Sequence, residues 1–267
     1  MLKQLILALS ALIGTSMSCI GQVDAIRAGL EKRAARTGQP PELFHEIASL
    51  ETDKIYALPS DGLKSLQPLL EKCLKSGDRA QHDAAHMVLM IFSFRFDGAE
   101  LLDPYIDLIA QDLQSSKNWD RTNAISLLSL VYSRPSDRAI EILKAKFPDP
   151  ANSTEEFQNI AIGLLCARPE DGKLALEVLT AVRKRKDDTV FGAVMHVIGL
   201  SRITTKEALE FVKEGLNRPE TSAYAMEAIE RLPPGASPFF VADLARIAAD
   251  PSEKKANRDA AQKLLKP

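Results

Sequence analysis

Two interleaved ladders with one common step constrain this 267-residue chain more than any other feature. The first is made of prolines expected to open helices: Pro68, Pro104, Pro135, Pro169 and Pro238, at steps of 36, 31, 34 and 69 residues. The double step holds Thr204-Thr205-Lys206-Glu207 near its middle, a helix start of another kind. Proline suits a first helical turn because its missing N–H had no partner there. Asp103 and Ser237 stand just before two of these prolines as expected side-chain caps. The second ladder is Ala85, Ala124, Ala161, Val194, Ala225 and Ala261, at steps of 39, 37, 33, 31 and 36 residues. Apolar pairs such as Val88/Leu89, Leu127/Leu128 and Leu164/Leu165 follow three and four positions on, which makes one helical stripe.

Each repeat therefore reads as a helix pair. The first helices carry stripes such as Ile106/Ile109/Leu113 and Leu176/Leu179, and the second helices carry the small-residue ladder. One pair cannot bury its own apolar face, so the pairs must stack. About six pairs are expected over residues 59–267, preceded by an N-terminal pair within 22–58. Gly and Pro number only 13 and 15, and aromatics are 6 %, which disfavours a β-sandwich or barrel.

Arg121-Thr122-Asn123-Ala124 with Leu127-Leu128, and Arg258-Asp259-Ala260-Ala261 with Leu264-Leu265, resemble the second helix of HEAT-like repeats. That resemblance, to an exported bacterial-type member of the armadillo-like helical class, implies an all-α, right-handed α-solenoid of stacked antiparallel helix pairs. The family's Arg position holds His82, Gln158, Phe191 and Ser222 in the other repeats, so its polar ladder is only partly kept. The repeat family includes lyases and DNA glycosylases, but a pI near 6.1 and an exported chain count against both.

The N-terminus reads as a targeting segment. Lys3 gives a positive start, Leu5 to Ile13 form a short apolar run, and small residues follow. The run is too short to span a bilayer, so residues 1–21 are expected to leave as a signal peptide, with cleavage after Gly21 or Ala25. Cys19 offers lipidation as the alternative, although Ser16 departs from the usual lipobox Leu. The chain is thus expected to be exported, periplasmic or extracellular, with no transmembrane segment. Cys73 and Cys166 fall in different repeats and are expected to be buried, unbridged thiols.

Lys plus Arg total 34 against 36 acids, a net charge of −2. A nucleic-acid partner is not expected without a basic excess. The one dense basic run, Val182 to Lys186, reads as a solvated helix end capped onward by Asp187-Asp188. Asn152-Ser153-Thr154, in the Pro148–Ser153 loop, is a glycosylation sequon that matters only in a eukaryotic secretory route. Met87 to Phe96 reads as the most buried helix.

His82-Asp83-Ala84-Ala85-His86 is the sharpest chemical pattern: two His at i, i+4 share a helix face and are weak candidates for metal ligands. The peptidase motif needs Glu where Asp83 stands, and neither His45 nor His196 has a matching motif for a third ligand. Catalytic residues and cofactors are not expected. The reading is a non-catalytic scaffold that captures a protein or peptide partner, with Trp119, Arg121 and Asn123 as weak partner-binding candidates. The alternative is a metal-dependent enzyme or metal-binding protein using His82 and His86.

Overall fold

The structure, a computed structural model, describes residues 58–129 and 135–266, together with positions 23, 24, 26–28 and 31. The proposed signal segment, Cys19, the cleavage points after Gly21 and Ala25, His45 and most of the N-terminal pair lie outside the described residues. Every regular element among the described residues is helical. The chain divides into two compact units, Met1–Ala139 and Ile140–Pro267.

In the first unit, α1 (Ser60–Lys64) and α2 (Gln67–Leu74) precede the long α3 (Arg79–Ser93). Then come α4 (Gly98–Leu102), a 3-10 turn over Asp103–Tyr105, α5 (Ile106–Gln111), a second 3-10 turn over Asp112–Gln114, and α6 (Asn118–Ser129). Helix α3 packs against α2, α4 and α6, and α5 packs against α2 and α6. The unit boundary falls inside α7 (Asp137–Lys146).

The second unit continues with α8 (Thr154–Ala167), α9 (Gly172–Arg185), α10 (Asp188–Leu200), α11 (Lys206–Leu216) and α12 (Ser222–Arg231). A 3-10 stretch, Pro234–Phe239, leads into α13 (Val241–Ala249) and α14 (Lys255–Leu264). Here α8, α10, α12 and α14 pack side by side in order, and α9 lies against α11.

The small-residue ladder is where this packing is tightest. Ala85, Ala124, Ala161, Val194, Ala225 and Ala261 are all 0 % exposed. A small side chain at the centre of a stripe lets the next helix come close, and burial of the flanking Leu, Ile and Val drives it there. At Gly199 the near neighbour is backbone: a Cβ there would meet the Cα of Ala228 at 2.6 Å and its carbonyl oxygen at 2.9 Å.

Side-chain caps, rather than prolines, start most of the long helices. Asp78 accepts from the N–H groups of Ala80 and Gln81, Asp187 from Thr189 and Val190, and Thr205 from Ala208. Ser153 and Glu156 form a reciprocal capping box on α8, so Glu156 is a structural carboxylate at a helix start. Pro68 sits in the first turn of its helix, but Pro169 does not: α9 begins only at Gly172, where Asp171 accepts from Leu174. Pro135 likewise precedes α7. Asp103 and Ser237 make no cap bond, because each lies inside a 3-10 turn.

Three expectations about burial change. Phe96 lies beyond the end of α3 and is 90 % exposed, so the apolar run does not stay buried to its end. Leu176 is 51 % exposed, since the buried face of α9 runs through Leu174, Val178, Leu179 and Val182. Cys166 is half-buried rather than buried, while Cys73 is fully buried, and both are free.

Candidate functional site

Helix α3 starts at its Asp78 cap, which places His82 and His86 one turn apart on the same face. Their imidazole rings stack, with centroids 4.6 Å apart and planes 29° apart. Helix α5 ends at Gln111, and the 3-10 turn that follows opens with Asp112. Its carboxylate meets both rings: His82 Nε2 lies 3.1 Å from Oδ1 and His86 Nε2 lies 2.8 Å from Oδ2. The sequence supplied the two histidines but missed Asp112 as their partner, 26 residues beyond His86.

Asp112 and His82 shift each other's charge states. Burial alone would raise the Asp112 carboxyl, but the bonds from His82 and His86 together outweigh it and hold the group at about 2. The Asp112 carboxylate in turn raises the pKa of His82, against the opposing effect of burial. His86 is the most enclosed of the three at 5 % side-chain exposure, against 16 % for His82 and 15 % for Asp112. Its Nδ1 has no hydrogen-bond partner among the described residues.

Around this core, Arg79 joins two more carboxylates. Its Nε lies 2.8 Å from Asp83, and its Nη1 pairs with the buried Asp120. Ser115 Oγ donates to Asp120 at 2.7 Å. Asp83, in the position where a zinc peptidase motif has its Glu, is thus engaged by a guanidinium and not placed as a free base.

The start of α6 carries this network to the surface. Arg121 donates to the Ser115 carbonyl at 2.8 Å and to Asn118 Oδ1 at 3.2 Å, so it closes its own turn. Arg258, its counterpart in the last pair, donates to the Pro251 and Glu253 carbonyls at 3.0 Å each. In both places this Arg therefore ties the loop before its helix. Trp119, close in the chain to the half-buried Arg121 and Asn123, is 61 % exposed.

The remaining sequence candidates make contacts within the fold. His196 faces Glu227 at 3.5 Å, far along the second unit. In the basic run, Arg183 pairs with Glu214 at 2.6 Å and Arg185 lies over Phe157, so the two are tied down rather than free. Asn152 is 4 % exposed, and its Nδ2 donates to the Lys146 and Phe147 carbonyls, which removes it as a glycan acceptor in the folded protein. No helix of the described residues is long and apolar enough to cross a membrane.

No protein-family model matches the chain, and no curated protein matches it in sequence.

Proposed function

We propose that this chain is a HEAT-like, right-handed α-solenoid that works as a non-catalytic exported scaffold, capturing a protein or peptide partner on its surface. The reading is supported by α8, α10, α12 and α14 packing side by side in order in the second unit, and by the short apolar leader at residues 5–13. Lipidation at Cys19 is the anchored version of the same export. The observation that carries the binding side is Trp119, the chain's one Trp, held 61 % exposed on a helix start whose backbone Arg121 fixes. A large indole in water on a rigid mount is the usual raw material of a binding hot spot.

The test compares Trp119→Ala and Arg121→Ala with the parent protein in cross-linked pull-downs from the native envelope. Trp119→Ala is expected to melt like the parent and to lose its partner. Undiminished recovery of the same partner by both variants would end the proposal for this face. Intact mass of the exported protein checks the leader: the chain should begin at Gln22, at Ile26, or at a lipidated Cys19, and a retained Met1 excludes export by cleavage.

A further inference from the structure

A polar joint between two helices can be built with one donor and one acceptor. The joint between α3 and the turn after α5 holds more than that: two stacked imidazoles and one carboxylate, with one potential ligand atom from each of His82, His86 and Asp112 lying within 4.8 Å of one another. The close pairs stand 2.8 and 3.1 Å apart. Two ligands of a tetrahedral zinc ion, each bound at about 2.05 Å, sit about 3.3 Å apart. The widest pair lies up to 4.8 Å apart, so the two imidazoles must rotate out of their stack and close by up to about 1.5 Å, with one Asp112 oxygen turning between them, to share an ion.

We propose that His82 Nε2, His86 Nε2 and one Asp112 oxygen bind one divalent transition-metal ion of the zinc kind. Two imidazole nitrogens and an oxygen suit zinc and its neighbours, whereas calcium and magnesium prefer all-oxygen sets. The spacing is preorganised, because residues four apart on a capped helix share one face at a fixed rise. Charge fits as well. Asp83, Asp112 and Asp120 stand against the single guanidinium of Arg79, so with neutral imidazoles the cluster is two negative charges in excess. His82 and Asp112 keep partial exposure, which leaves a solvent side for the water that completes a three-ligand zinc site.

Loading has one internal cost. The imidazole hydrogen of His86 moves from Nε2 to Nδ1, which has no acceptor among the described residues. Metal-bound histidines normally donate that hydrogen to an outer partner, and losing one typically weakens binding about 10- to 100-fold. Binding is accordingly expected to be weaker than in a site with a complete outer shell.

The experiment uses the full chain, stripped with chelator and dialysed against zinc, and in parallel against cobalt(II) as a spectroscopic probe. One zinc per chain is expected, together with visible absorption from low-symmetry cobalt and a rise in melting temperature on zinc addition. His82→Gln and Asp112→Asn should each weaken zinc binding at least tenfold and abolish the cobalt bands. Excess calcium should not displace the zinc. His82→Gln alters a partly exposed side chain, so it remains informative if Asp112→Asn fails to fold. Parent binding no tighter than that of His82→Gln overturns the proposal, as does a zinc stoichiometry that survives the combined His82→Gln/His86→Gln variant. Metal binding needs no partner, so its failure leaves the scaffold reading untouched, and the reverse also holds.

Discussion

Arg218 lays its guanidinium 4.3 Å from the ring centroid of Phe191, and one repeat earlier Arg185 does the same to Phe157 at 4.6 Å. In both cases a residue at or just past the end of one helix clamps a ring near the start of the helix before it. Arg218 also faces Asp188, and Arg185 donates to the Asn152 carbonyl. Asp112 stands in the corresponding place after α5, and His82 in that of the ring on α3. The first unit thus has imidazole and carboxylate at a joint that the second unit closes with arginine and phenylalanine.

Coupling between Arg218 and Phe191 should be measurable in a double-mutant cycle of Arg218→Ala and Phe191→Leu. A partly exposed cation over an aromatic face is worth about 0.5–1 kcal/mol. Phe191→Leu should also carry a packing cost, since the ring is 1 % exposed and stacks on Phe211 at 4.0 Å. Urea unfolding of the four proteins checks this, and strictly additive losses would show that the ring and the guanidinium do not interact.

The close approach of α10 and α12 makes an opposite pair of glycine predictions. Gly199→Ala gains helix propensity of about 1 kcal/mol, yet its new Cβ meets backbone of Ala228, which cannot swing aside as a side chain would. Overpacking of this sort costs about 1–3 kcal/mol, so the net effect should be destabilising. Gly77 has nothing within 4 Å of an added Cβ, and Gly77→Ala should be neutral or stabilising by about 0.4–1 kcal/mol. Melting temperatures of the two variants should move apart. A stabilised Gly199→Ala would mean that the helices are not this close.

Why these features differ in legibility follows from their range. Ala85, Ala124 and the rest of the small ladder are set by spacing within one helix, and periodicity reads that directly. The Pro169 start was misplaced because Asp171 offers a better-placed acceptor two residues on. Leu176 reads as a core position only when paired with Leu179 alone, because the buried face turns through Leu174, Val178 and Val182. The pairing of Asp112 with His82 and His86 depends on the lengths of two intervening turns and on α5 ending where it does. The turn after α5 meets the start of α3 here, so an acidic residue closing α5 is the available signal. Trp119 could be named from its type, but its exposure depends on Arg121 tying the turn beneath it.

Arg95 gives the first unit a buried cation whose partner sets an acid limit. Its Nε donates to Asp97 at 2.7 Å and its Nη1 to the Leu58 carbonyl at 2.7 Å, with Ser60 bonded to both side chains. The Arg95 bond lowers the pKa of Asp97, more than its burial raises it. A carboxyl depressed on folding adds stability that is fully present above its unfolded value, about 3.9, and is lost as pH falls through the folded one. Asp97→Asn should therefore be less stable than the parent at pH 6, with the difference shrinking below about pH 4. Denaturation midpoints at pH 3 and pH 6 check this. A gap that stays constant across that range would rule out the proton linkage.

The thiols separate the two units chemically. Cys73 lies on α2 with 0 % exposure, and burial raises its pKa. Cys166 lies near the end of α8, half-buried, with its sulfur 3.4 Å from Ser201 Oγ; burial raises its pKa too, with a smaller opposing effect from that contact. Thiolate is the reactive form, so both should alkylate slowly in the native protein, and access then decides the order. Cys166 should be modified before Cys73 by a small neutral reagent at mild alkaline pH. In denaturant without reductant, both should react fully at similar rates, because the burial that distinguished them is gone. Peptide mass mapping reads each site separately from Cys19. Recovery of a Cys73–Cys166 linked peptide would contradict the two free thiols, and native modification of Cys73 ahead of Cys166 would mean that α2 opens more readily than its packing against α3 and α5 allows.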